Sequence, residues 1–162
     1  MSDSMKERAL MEAIERHKHR VFRVAVSCLK RRQDAEDALQ EVFIKFYRFA
    51  PEFRDDEHEK AWILRVTVNT CISMLRSPWR RLFAPLPENV PSPGTESQWM
   101  IDLVRSLPAK YSIPLHLHYY EDYSVREIAS ILNLSEGTVK SRLSRARKRL
   151  GELIEKEETL DG

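Results

Sequence analysis

Lys140, Arg142, Arg145, Arg147, Lys148 and Arg149 place six basic side chains in ten residues with no acid among them. Such a cluster cannot make or break bonds on its own. It can neutralise a polyanion, and its arginines can present paired N–H donors to phosphate or to a base edge. At 100° per residue, Val139, Leu143, Ala146, Leu150 and Leu153 line one side of a helix. Lys140, Ser141, Ser144, Arg145, Arg147 and Lys148 line the other. Ser135 is positioned to cap this helix, and Glu136 suits the positive end of its dipole.

The preceding stretch decides between a solvated basic face and a binding face. Ser124 and Glu127 have capping-box spacing, which predicts a short helix burying Val125, Ile128, Ala129, Ile131 and Leu132. Asn133 tolerates the left-handed backbone of a tight turn, and Leu134 fills the corner before Ser135. Together these form a helix-turn-helix, with the basic segment as its recognition helix in the DNA major groove.

The chain has 162 residues, enough for one ordinary domain or two small ones. Its formal charge of only +2 means that nucleic-acid affinity must come from patterned charge and not from a general positive field. After the basic run the sequence turns acidic, as for a helix that leaves the DNA and frays. With four glycines and apolar residues recurring at helical spacing, the expected fold is all-α.

Five of the eight prolines lie between Pro78 and Pro93, followed by Gly94, so no helix should persist there. Two small helical domains are therefore expected, residues 1–77 and 95–162, joined by a proline-rich, semi-stiff linker at 78–94. The second should hold four helices. Thr95 caps one running through Trp99, Ile101, Leu103 and Val104, and Pro108 opens the next, which Pro114 should kink or delay. The first domain should hold helices at about 5–30, 34–49 and 56–76.

In the second of these, Ala38, Val42, Phe46 and Phe49 give a core stripe, while Asp37, Gln40 and Glu41 begin an acidic, polar outer face. In the third, Ile63, Leu64, Thr67, Cys71, Met74 and Leu75 gather on one side. Arg65, Asn69, Ser73 and Arg76 gather on the other, with Trp62 at the border, a pattern suited to an unstacked strand.

Cys28 and Cys71 are separate residues in apolar stretches, expected as reduced core thiols. His17 and His19, like His116 and His118, are two residues apart and point to different helix faces, so neither a metal nor another cofactor is expected. No nucleophile–base pair or supported carboxylate pair can be assembled, so no catalytic residue and no enzymatic activity are expected. With nothing like a signal peptide and no apolar run approaching the roughly 20 residues that span a bilayer, the expected location is cytoplasmic.

In order and spacing, "DAEDALQEVFIKFY", "AWILRVTVNTCISMLR", "SLPAKY" and "SVREIASILNLSEGTVKSRLSRARKRL" resemble bacterial sigma factors of the extracytoplasmic-function (ECF) group. The resemblance covers nearly the whole chain except the linker and the ends. It implies a promoter-specificity subunit that binds core RNA polymerase through the β′ clamp helices and the β flap, with Asp37, Gln40 and Glu41 matching the clamp-docking motif. It further implies that Asn69, with Phe53 from the preceding loop, captures a base flipped from the minus-ten element, with Arg65 and Arg76 on the same strand. Lys140, Ser141, Ser144, Arg145 and Arg147 match positions that read the minus-thirty-five element. An anti-sigma factor is an implied partner. Ser73, where many members carry an acid, and Pro114, in a helix usually free of proline, depart from the pattern. The alternative is a free-standing helix-turn-helix regulator with an N-terminal sensing or dimerisation lobe.

Overall fold

A computed structural model of the protein describes residues 2–76 and 98–161. The proline-rich joint, both of its expected boundaries, the cap at Thr95 and the side chains of Trp99 and Ile101 lie outside the described residues. The chain divides into two compact units, residues 1–88 and 89–162. Among the described residues there is no strand, and no helix is long and apolar enough to cross a membrane.

The first unit packs α1 (Asp3–Leu29), α2 (Arg32–Phe49) and α3 (Asp56–Arg76) against one another in every pairing. Ser2 caps α1 by accepting the Met5 N–H at 3.2 Å. Lys30 ends it in the left-handed region, at φ 64°, returning its N–H to the Val26 carbonyl. Ala35 and Ala38 are fully buried and let α2 approach its neighbours closely. Val42, Phe43 and Phe46 join Ala13, Val21 and Ile63 in the core. Phe49, expected in this stripe, is instead 69% exposed. Its angle around the helix is right, but it is the last residue of α2, where the stripe outruns the surface that covers it.

An ionic cluster built on the buried His17 and Glu59, with Arg16 at its exposed edge, ties α1 to α3. Glu59 Oε1 accepts from Arg16 Nη2 at 2.6 Å, from Arg16 Nε at 3.2 Å and from His17 Nε2 at 2.9 Å. His17 Nδ1 lies 2.6 Å from Arg20 Nη1. A guanidinium can only donate, so Nδ1 accepts, the proton sits on Nε2, and the ring is neutral. Burial first, then the positive charges of Arg20 and Arg16, lower the His17 pKa below its ordinary 6.5, despite the pull of Glu59. Burial works to raise the Glu59 pKa, but hydrogen bonds and charge from Arg16 and His17 outweigh it and hold it below 4.5.

Both depressed values make the unfolded chain the better proton acceptor in acid. The His17 contribution to stability is complete above pH 6.5 and drains as pH falls through its lowered pKa. The Glu59 contribution is complete above 4.5 and drains below it. Glu59→Gln keeps the shape but loses the charge-assisted bonds, and should lower stability near pH 7 by about 1–2 kcal/mol. Urea melts across pH should show that deficit shrinking below 4.5, where wild-type Glu59 is itself losing its charge.

The second unit contains α4 (Gln98–Ser106), α5 (Ala109–Tyr119), α6 (Val125–Leu132) and α7 (Glu136–Asp161). Both α4 and α6 pack on α5 and α7, which also pack on each other. Leu117, Ile128, Val139, Leu143 and Ala146 are buried at its centre. Pro108 caps α5, one position before its first turn. Pro114 lies inside α5, which continues to Tyr119 without interruption. Its missing N–H would have met the carbonyl of Lys110, in the first turn, so only one early bond is lost.

Candidate nucleic-acid interface

Local chemistry sets the geometry between α6 and α7. The Ser124 hydroxyl accepts the Glu127 N–H, and the Glu127 carboxylate accepts the Ser124 N–H, each at 3.1 Å. Asn133 turns left-handed at φ 56°, ψ 49°. The N–H groups of Asn133 and Leu134 both return to the Ala129 carbonyl, closing the end of α6. Ser135 Oγ accepts the Thr138 N–H at 3.1 Å and starts α7.

On α7, Val139, Leu143 and Ala146 are buried, with Leu150 and Leu153 half-buried, and Lys140, Ser141, Ser144, Arg145, Arg147 and Lys148 are exposed. The helix continues to Asp161 instead of fraying after the basic run. Arg147 is already engaged: its Nε donates to the Tyr119 hydroxyl at 2.7 Å, and its guanidinium lies 5.7 Å from that ring centre. Arg149 lies over the Tyr111 ring at 4.7 Å. These contacts join residues 28 and 38 positions apart, and helical periodicity carries no sign of them.

On α3 of the first unit, Arg65, Asn69, Ser73 and Arg76 are exposed along one line, about 16 Å from end to end. The opposite side buries Ile63, Leu64, Thr67 and Cys71, with Met74 and Leu75 half-buried. Trp62 lies near the lower end of the exposed line, about 10 Å below Asn69 along the axis. Phe53, in the loop before α3, packs among aromatic rings. It stacks on Phe46 at 6.1 Å between ring centres and meets Trp62 at 5.8 Å.

Asp37, Gln40 and Glu41 are exposed on α2, with the Asp37 carboxylate accepting from Gln33 at 3.0 Å. Beside Gln40 runs an open groove of about 780 Å³ between α1 and α2, lined by Leu10, Ile14, Leu39, Phe43, Ile44 and Tyr47. The sequence pattern foresaw the polar face but not this apolar neighbour. Leu10 and Ile14 come from α1, and Ile44 remains 45% exposed. Cys28 and Cys71 are buried and unbridged. Among the described residues no three His, Cys, Asp or Glu side chains are grouped to hold a metal ion.

A helix-turn-helix with an exposed basic second helix, joined in one chain to a helical unit carrying an amide-and-arginine line, marks an all-α protein built to bind nucleic acid. Residues 13–81 match the family model "Sigma-70 region 2", and residues 97–150 match "Sigma-70, region 4". The ECF RNA polymerase sigma factor SigM of Mycobacterium tuberculosis is 32% identical over 151 residues, covering 90% of this chain and 77% of that protein. The RNA polymerase sigma factor SigV of Bacillus subtilis is 30% identical over 154 residues, covering 92% and 93%. The sigma factor RpoE of Bartonella quintana, solved with the anti-sigma factor NepR, has the same fold at a TM-score of 0.69 and 23% identity, covering 92% and 96%. CnrH, solved with the cytosolic domain of CnrY, matches at 0.68 and 22%, covering 94% and 92%. The chain belongs to the ECF sigma factors of the sigma-70 family, and it is a promoter-recognition subunit.

Proposed function

We propose that the two units divide promoter recognition between them. Residues 1–77 dock on core polymerase and read the minus-ten element, residues 95–162 read the minus-thirty-five element, and 78–94 link them. One observation carries this reading: the exposed side chains of α3 and α7 differ in chemistry as the two tasks require. The α7 face is dense in cations, suited to a duplex major groove. The α3 face sets an amide among arginines near an aromatic loop, suited to a single extruded base.

In this reading Asp37, Gln40 and Glu41 meet the β′ clamp helices, with the apolar groove beside Gln40 adding contact area. Asn69, Arg65, Arg76 and the Phe53 loop hold the minus-ten strand. Base extrusion costs a few kcal/mol, and stacking can return about 1–3 kcal/mol per base. Lys140, Ser141, Ser144, Arg145 and Arg147 engage the minus-thirty-five duplex. The chain supplies recognition and is not itself an enzyme. It acts in the cytoplasm, and an anti-sigma factor restrains it, in keeping with the complexes in which RpoE and CnrH were solved.

Transcription from a promoter library with core polymerase tests the assignment. Promoter-dependent initiation should require the chain, and the chain alone should bind duplex promoter weakly. Tight, specific duplex binding without polymerase, and no initiation with it, would instead favour a free-standing regulator.

A further inference from the structure

In the loop before α3, where Phe53 packs on Phe46 and Trp62, His58 contacts the two consecutive residues Phe53 and Arg54. Arg54 donates its backbone N–H to His58 Nδ1 at 3.1 Å. The His58 ring also meets Phe53 edge-on, at 5.2 Å between centres and 83° between planes. Asp55 fixes His58 in turn, since its Oδ1 accepts the His58 N–H at 2.8 Å and its carbonyl accepts the Glu59 N–H at 3.2 Å. The backbone N–H of Arg54 can only donate, so Nδ1 must be the acceptor in this contact. His58 thus grips two consecutive loop residues, one through the backbone and one through the ring.

We propose that His58 is a positioning residue that sets minus-ten base selectivity. It holds Phe53 against Trp62, at the lower end of the line that carries Asn69, and presents Arg54 outward. The inference rests on the base-capture reading of Asn69 and the Phe53 loop. Without the clamp, Phe53 keeps Phe46 and Trp62, but its ring loses its third neighbour and the Arg54 N–H its acceptor, so the wall beside a captured base is less sharply placed and the right base loses part of its advantage. His58 itself touches no DNA in this scheme.

The test uses the full chain with core polymerase and duplex promoters carrying each of the four bases at the captured position. Open-complex formation is read by permanganate, beside core affinity, melting temperature and binding to a minus-thirty-five duplex. His58→Gln and His58→Leu should each lose roughly tenfold in discrimination, the scale of one well-placed hydrogen bond. His58→Asn should retain most of it, because Asn Oδ1 can stand close to where Nδ1 accepts. Core affinity and minus-thirty-five binding should stay at wild type in all three. If leucine compromises folding, glutamine keeps the comparison, since it is polar but reaches past the Arg54 N–H. Asn69→Ala run alongside separates two kinds of failure. Blurred selectivity in Asn69→Ala with full selectivity in both His58→Gln and His58→Leu overturns the role of His58 alone. Full selectivity in every variant overturns the base-capture reading, and the inference with it. Equal losses in His58→Asn and His58→Leu also overturn the clamp, because the acceptor would then be irrelevant.

Discussion

With Gln40 changed to alanine and Glu41 to lysine, affinity for core polymerase should fall by about 2–5 kcal/mol, the range for breaking a desolvated charge contact at an interface. Both side chains are exposed on α2, away from the buried line of Ala35, Ala38, Val42 and Phe46. Alanine and lysine are good helix formers, so helicity and melting should stay near wild type. The loss should appear mainly in the dissociation rate if the contact is buried on docking, and in the association rate if it lies at the rim. Polymerase affinity unchanged by both substitutions would leave the acidic face as ordinary solvated surface.

Arg145→Ala addresses the other unit. Arg145 is exposed on the side of α7 opposite the buried Val139, Leu143 and Ala146, so the substitution should not disturb packing. If its guanidinium reads a base edge, discrimination at one position of the upstream element should relax by about 1–3 kcal/mol. If it meets only phosphate, all sequences should weaken alike, and the slope of log affinity against log salt should flatten by about 0.9. Binding measured at several salt concentrations separates these cases. Wild-type affinity on every promoter and at every salt concentration would remove Arg145 from the interface. Arg147 is a different case, because its Nε already belongs to Tyr119 and paired recognition through that edge would first require the bond to break.

What could be read from sequence depended on how local the determining physics is. The capping box at Ser124 and Glu127, the left-handed Asn133 and the cap at Ser135 involve partners within five residues, and all take the expected form. The inward stripes of α3 and α7 likewise need only helical periodicity. Glu59 was not legible as the centre of an ionic cluster, because its partners Arg16 and His17 lie more than forty residues away. Nothing in "DDEHEK" distinguishes a buried carboxylate from the acids that favour a helix start. Phe49 misled for a related reason: periodicity gives an angle around a helix but not where the neighbouring helices stop. The contact between Tyr119 and Arg147 and the grip of His58 on Arg54 also depend on side-chain placement.

The continuation of α7 beyond its basic run has a directional consequence. From Lys140 to Arg149 the cationic stretch is about 13–14 Å long, comparable with the roughly 12 Å width of the major groove. The helix then carries Glu152, Glu155, Glu157 and Glu158, with Lys156 as the one cation among them, within the same continuous rod. Seated by its N-terminal half, the rod carries these carboxylates outward. Turned end for end, or slid further in, it would drive them against phosphates, and repulsion would reject that pose. In the proposed docking, a single helix would carry both an attraction to the groove and a veto on entering it backwards or too deeply.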